Sequence, residues 1–293
     1  MERLSKWTPF FLLLPILLLG VVFLLGIGNA LIQSLGYIPA FNMTDFTFQY
    51  YQEIFQEPTL LASIRVSLVI ALVSAVLAAV IGVILSAALV LNGKVRGKIL
   101  QMIKMPILIP HAVVALFIIM FFSQNGLLAR ILHALNFLDV QGDFPALLFS
   151  PNNIGIIIAY LWKEIPFVAY FVLALMASIN TTLGEAAENL GASGIKSFLY
   201  VTLPLCLPAV NKAFLIIFAY SFGAYELPFL LGATLPKALP VQAYVEYISP
   251  DLHHRPYAMA MNGVMLLITL VISAAYYLLS SKIKQTSGDR NEI

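Results

Sequence analysis

The sequence predicts an all-α integral membrane protein with six transmembrane helices and both termini in the cytoplasm. Three observations lead there. Of the 293 residues, 61% are hydrophobic and only 10% charged, against roughly 25% charged in a soluble domain. The apolar residues fall into six blocks, each long enough to cross ~30 Å of hydrocarbon at 1.5 Å per residue. Lysine and arginine gather on one side of those blocks, the bias that sets orientation. The net charge of +2 says little about partners, because its distribution matters more than its sum.

Met1 to Thr8 is short and carries Arg3 and Lys6. The first block runs from Pro9 to about Ile32; it is too long for the apolar core of a secretory signal and lacks a small-residue cleavage site. Ser34 to Leu60 follows with Asp45, Glu53 and Glu57 but no Lys or Arg. Within it Phe48, Tyr51, Ile54 and Phe55 have helical spacing and Pro58 closes the run, which predicts an interfacial helix with its aromatic side toward the membrane. The second span covers about Ser63 to Leu91. Asn92 to Lys104 holds the densest basic cluster, Lys94, Arg96, Lys98 and Lys104.

The third span is about Met105 to Phe122, and an amphipathic helix, Leu127 to Leu138, follows it. The fourth span covers about Asn153 to Ala177, the fifth about Leu205 to Leu231 and the sixth about Tyr257 to Leu279. With both ends inside, the inner side carries Arg3, Lys6, Lys94, Arg96, Lys98, Lys104, Lys196, Lys282, Lys284 and Arg290, with Lys212 just inside the fifth span. The outer side carries only Arg65, Arg130, Lys237 and Arg255. Arg65 reads as an anchor reaching to the membrane surface.

Between spans four and five lies Thr182 to Pro204, the longest polar-leaning interruption on the inner side. Thr182 and Glu185 have the T-x-x-E spacing of a capping box, which predicts a helix start there. Leu183, Ala186, Ala187 and Leu190 then share one face, with Glu185, Glu188 and Asn189 off it. Gly191 ends that helix, because glycine adopts the left-handed closing conformation cheaply. A second short helix, Ile195 to Tyr200, precedes Pro204, which opens the next apolar segment at a tolerated position.

Glu185-Ala186-Ala187, three residues, Gly191, nine residues, then Val201-x-Leu203-Pro204 resembles the EAA signature of ABC-importer permeases, EAA-x3-G-x9-I-x-L-P, with Val201 in place of isoleucine. The resemblance implies that Glu185, Ala186, Ala187, Gly191, Leu203 and Pro204 form a coupling element docking in a groove of a cytoplasmic ATPase. A surface-lying amphipathic helix is the simpler alternative. The resemblance covers residues 60–282 as the permease core with its coupling loop at 182–204. Residues 1–59 supply an extra first helix and the interfacial helix, and 283–293 a cytoplasmic tail.

The fold it implies is the type I importer permease. The partners it implies are an ATPase dimer, a second permease subunit, an external solute-binding protein and membrane lipid, with no nucleic acid, in a prokaryotic plasma membrane. ATP and Mg would be bound by the partner and no cofactor by this chain. The fifth span looks most like the branch importing spermidine and putrescine, iron, thiamine or phosphonates.

Other chemistries fail on spacing. Gly93-Lys94-Val95-Arg96-Gly97-Lys98 has three residues between its glycines where a phosphate loop needs four, and Ile99 follows where Ser or Thr is required. His111, His133, His253 and His254 are too scattered for a metal site, the last two reading as a solvated turn. Cys206 is the single cysteine, so no internal disulfide exists. A secondary transporter would need its own ion site and usually an internal repeat, and none is visible.

Charges inside the spans carry more information, since an ionisable group in lipid is costly unless paired or wet. Lys163 and Glu164 fall near mid-membrane in the fourth span, with Pro166 expected to kink it. Neighbours on a helix point about 100° apart, so at least one should reach another helix. Glu226 falls in the outer third of the fifth span, bracketed by Gly223 and Pro228, which predicts irregular backbone there. Trp162, Lys163, Glu164, Tyr225 and Glu226 are expected to line a solute pathway. A structural Lys163–Glu226 salt bridge would explain the same residues. The three charges sum to −1 and the aromatics attract cations, so the expected solute is an organic cation, polyamine first.

Overall fold

The computed structural model describes residues 8–288, so Arg3, Lys6 and Arg290 of the orientation count lie outside the described residues, as does the end of the 283–293 tail. Six helices are long and apolar enough to cross a membrane: Phe11–Ser34, Pro58–Leu91, His111–Ala134, Ile154–Asn189, Gly194–Gly223 and Leu252–Leu278. Among the described residues there is no strand, only an isolated bridge between Ile38 and Met43.

Helix α1 (Thr8–Ser34) is exposed along its apolar first half and packs on the last helix near its end, where Ser34 is buried. Helix α2 (Gln49–Gln56) divides its aromatic face in two. Phe48 and Phe55 point outward, as expected, but Ile54 is buried and the Tyr51 hydroxyl donates to Ser34 Oγ at 2.9 Å. The protein surface, offering apolar contacts and a hydroxyl partner, wins half of a face that periodicity alone assigned to lipid. Pro58 closes this run as expected, with Glu57 before it extended, and it also occupies the first turn of α3 (Pro58–Leu91), where its missing N–H costs nothing.

Helix α3 buries a stripe of small residues, among them Ser67, Ala71, Ser74, Ala75, Ala78, Gly82 and Ser86. Small side chains let backbones approach closely, the main source of helix adhesion where lipid is as apolar as leucine. A Cβ on Gly82 would stand 2.8 Å from Val168 Cβ and 3.1 Å from the Ile165 carbonyl. One turn on, Ser86 Oγ lies 3.0 Å from the Ala169 carbonyl and 2.9 Å from its own helix's Gly82 carbonyl.

The third span, expected as one helix over 105–122, is broken. Helix α4 (Lys98–Leu108) ends at extended Ile109, and α5 (His111–Phe122) restarts after Pro110. The residue before a proline is pushed out of the helical region. Helix α6 (Leu127–Ala134) follows, shorter than the expected 127–138. Helix α7 (Ile154–Ile179) is the central post, packed against α3, α4 and the fifth span, and it continues through a π-helical segment, Asn180–Gly184, into α8 (Glu185–Asn189).

Helix α9 (Gly194–Ser197) returns through a second π segment, Phe198–Thr202, into α10 (Leu203–Gly223). The fifth span, expected to reach Leu231, stops at Gly223; Ala224 is extended and α11 (Glu226–Leu231) begins anew, so the backbone is irregular where Gly223 and Pro228 bracket Glu226. Helix α12 (Leu239–Tyr247) lies between α3 and α13 (Arg255–Gly288). Three apolar clusters stack along the α3–α7–α10 post, centred on Tyr160 and Leu227, on Val168 and Phe218, and on Met176 and Cys206.

Candidate functional site

Two places collect the residues singled out above: the turn joining α7 to α10, and a polar cluster where the third and fifth spans break.

At the turn, no helix starts at Thr182. Its hydroxyl instead donates back toward the Ser178 and Ile179 carbonyls, 2.9 and 3.2 Å away, inside a helix continuous from α7. The capping-box expectation therefore fails: a helix already running supplies the N–H partners that a cap would have satisfied. The closing glycine stands. Gly191 has φ +94, its N–H donates to the Glu188 carbonyl at 2.9 Å, and the Ala192 N–H donates to the Ala187 carbonyl at 3.1 Å. That pair of bonds is the Schellman closure. Ser193 then caps α9, accepting from the Lys196 N–H at 3.4 Å.

The two arms are pinned together. Ser197 Oγ donates to the Gly184 carbonyl at 2.8 Å. A Cβ on Gly184 would stand 2.9 Å from Asn180 Oδ1 on its own arm and 3.3 Å from Ser197 Oγ on the other, so glycine eases the approach. The sequence reading missed Gly184 and Ser197; the signal was small residues placed opposite each other across the turn. Glu185 and Ala186 are exposed, Ala187 half-buried, and Leu203 and Pro204 stand at the start of α10. Around them large apolar side chains face outward, Leu190 91% and Tyr200 80% exposed, with Leu183 and Ile195 beside them. An exposed apolar patch of this kind on a turn is a contact surface for protein or membrane.

In the membrane interior the break of the third span leaves carbonyls without helical partners. Lys163 Nζ reaches across from α7 and donates to the Ile109 carbonyl at 2.6 Å. His111, first residue of α5, lies with Nδ1 3.4 Å from Glu226 Oε2, while the Tyr220 hydroxyl is 3.1 Å from its Nε2. Lys163, His111, Tyr220 and Glu226 thus bridge the two breaks, and Glu226 remains half-exposed. The Lys163–Glu226 salt bridge weighed above does not form; the free carbonyl is nearer.

Glu164 parts company with Lys163. It is 4% exposed and receives the Ser221 hydroxyl between α7 and α10, so it offers no surface to a pathway. Trp162 lines a cavity of 350 Å³ with Val114, Phe117 and Phe121 of α5. Tyr225 stacks on Tyr244, ring centres 5.0 Å apart, beside Phe229. Of the five residues expected to share one lining, only Lys163 and Glu226 meet through a common cluster, and His111 and Tyr220 join them. The sequence held one clue to His111: its place directly after Pro110.

Known proteins resemble this architecture. A crystal structure of a bacterial ABC transporter involved in import of the acidic polysaccharide alginate superposes with a TM-score of 0.77 at 21% identity, covering 95% of this chain and 96% of that one. The sulfate transport system permease protein CysT of Salmonella typhimurium is 25% identical over 181 residues, 62% of this chain and 62% of the relative. A probable molybdenum ABC transporter permease of Haloferax volcanii is 26% identical over 176 residues, 60% of each. A spermidine/putrescine permease PotC homolog of Mycoplasma genitalium is 26% identical over 121 residues, 40% of this chain and 39% of the relative. The chain thus spans about six-tenths of the length of the sulfate and molybdenum relatives it matches. The profile of one family matches residues 78–285, from mid-α3 through the turn to the end of α13. The chain therefore belongs to the family of inner membrane components of binding-protein-dependent transport systems, as a multi-pass protein of the prokaryotic plasma membrane.

Proposed function

We propose that this chain is the membrane permease of an ATP-driven importer. It forms half of a solute path and passes the stroke of a cytoplasmic ATPase to its helices through the α8–α9 turn. The observation carrying this reading is the turn itself. It is closed by Gly191 and the Ser197–Gly184 bond, and it presents Leu190, Ile195 and Tyr200 outward. A floppy loop would absorb a push; a turn continuous with α7 and α10 transmits it into the helices carrying Lys163 and Tyr220.

The partners that follow are a pair of ATPases holding ATP and Mg, a second permease that is a copy or a relative, and an external binding protein that delivers solute. ATP binding would draw the turns of the two permeases together and open the path outward; hydrolysis would reset it. Copurification tests this directly. The wild-type chain, solubilised mildly from its own host, should bring down an ATPase, and the Leu190→Glu/Tyr200→Glu variant should not. A chain that purifies without any ATPase would end the importer reading.

For the solute, an organic cation such as a polyamine rests on Glu226, half-exposed beside the Tyr225–Tyr244 stack, whose faces attract cations. Burial of Glu164 takes away the second acid on which that reading drew.

A further inference from the structure

Below Lys163, the inner half of α7 and the chain around the start of α4 enclose a cavity of 830 Å³. Phe167, Tyr170 and Phe171 wall its upper part and Ser178 and Thr181 its lower part, with Arg96 opposite. These α7 positions continue, at steps of three and four, the face that carries Lys163. Lys104 Nζ lies over the Tyr170 ring, 4.2 Å from its centre. Arg96 thus lines this groove and Lys104 stands over one of its wall residues, with Lys163 above it on the same face of α7.

The lining of the cavity holds no acid. From Pro58 to Leu138, and again from Ile165 to Gly184, the sequence holds no Asp or Glu. Among the described residues every ion pair involves a histidine, and none involves these three cations. Glu185, one turn beyond Thr181 at the start of α8, is the first carboxylate past the cavity along that arm. Orientation alone accounts for Lys94 in the loop and Lys98 at the start of α4, both exposed. Arg96 is exposed in the same loop but also lines the cavity, and Lys104, half-buried on α4, turns back over Tyr170. Arg96 and Lys104, with no carboxylate in the cavity wall, give this cavity a positive potential that favours an anion.

We propose that this groove is the inner half of the solute path and is built for an anionic solute, one bearing a sulfate-, phosphate- or carboxylate-type oxyanion that Arg96 and Lys104 receive on its way to the cytoplasm. The proposal rests on the permease reading and replaces the organic cation within it. The phosphate of an anionic lipid headgroup carries the same chemistry, so the test separates the two sources.

Ser178→Cys places a thiol in the cavity, while the native Cys206 is fully buried. The full chain is reconstituted in phosphatidylcholine discs and its thiol labelled with methanethiosulfonates bearing either a sulfonate or a trimethylammonium group, each rate divided by that for a free thiol in solution. The sulfonate should react at least about fivefold faster. The preference should shrink as ionic strength rises and vanish in Arg96→Gln/Lys104→Gln. Inorganic phosphate or sulfate should slow labelling, and spermidine should not.

Equal rates or a faster cationic reagent in the Ser178→Cys chain alone, which needs no further variant to fold, would overturn the proposal. So would protection that appears only when phosphatidylglycerol is added to the discs, since the anion would then be lipid. Failure of ATPase copurification, by contrast, removes the importer reading and leaves the charge preference of the cavity standing, so the two results cannot be confused.

Discussion

Lys163 and Glu164 are adjacent, and the 100° between neighbours on a helix sends one to the Ile109 carbonyl and the other into the α7–α10 interface. Glu164 Oε1 accepts from the Ser221 hydroxyl, which also lies 2.7 Å from the Ile217 carbonyl, and an amide oxygen can take the same place. Glu164→Gln should accordingly keep expression, melting temperature and uptake near wild type, while Glu164→Ala loses stability by about 1–3 kcal/mol; a thermal melt in detergent reads both. Glu226 differs, being half-exposed and paired with His111. Glu226→Gln weakens that pair by ~1 kcal/mol, so uptake should fall about fivefold with solute capture by the binding protein unchanged, as flux and equilibrium binding would report. At the turn, Gly191→Asp meets open space but an unfavourable φ, at a cost of ~1–2 kcal/mol. It and Glu185→Lys should leave the chain folded in the membrane yet abolish transport and ATPase association, and normal uptake by either would remove the turn from the coupling route.

Elements respond to packing that single residues only hint at. The α3–α7 contact depends on Gly82, whose missing Cβ admits Val168 and the Ile165 carbonyl. Gly82→Val should cost about 1–3 kcal/mol through overpacking, seen as a lower melting temperature and lost membrane yield, whereas substitution of lipid-facing Val80 should be silent. On the opposite surface, α2 is tied to α13 through Glu53, which accepts from the Tyr257 hydroxyl and from Gln49 Nε2 at 2.5 Å. These bonds hold its carboxyl below the usual range. A lowered folded value means that the tie is fully present above the ordinary carboxylate range and is lost as pH falls through the lowered value. Amide exchange in α2 should therefore quicken on acidification through that window, and Glu53→Gln should flatten the response. The two broken spans were unequally legible. Gly223 and Pro228 announced the break before Glu226, whereas Pro110, inside an otherwise apolar block, was absorbed into a continuous helix.

For the molecule as a whole, six crossings put the two ends of the chain on one side, and the lysines and arginines name that side as cytoplasmic. A cysteine at Thr44, before α2, should react with an impermeant maleimide added to cells stripped of any outer barrier. One at Ser193, in the coupling turn, should stay silent until the membrane is opened. The reverse pattern would invert the protein and move the turn away from any ATPase. The same α7 and α10 that carry the turn also carry Lys163, Tyr220 and, across a break, Glu226, so a push at one end has a rigid route to the polar cluster.

What the sequence determined by itself was set by local physics. Apolar length dictates crossings, loop lysines dictate sides, and a glycine where φ must be positive closes the coupling helix. Spans, fold class and the Gly191 turn could all be read within windows of a few residues or from block composition. Tertiary structure decided the rest because partners lie far along the chain. Lys163 finds a carbonyl 54 residues away and Tyr220 finds His111 across 109 residues, separations at which no periodicity speaks. It was burial against α10 that made Glu164 an interior group and left its neighbour in the groove. It was a helix already running through Thr182 that made the local capping signal void, since the N–H groups it would have satisfied were never free.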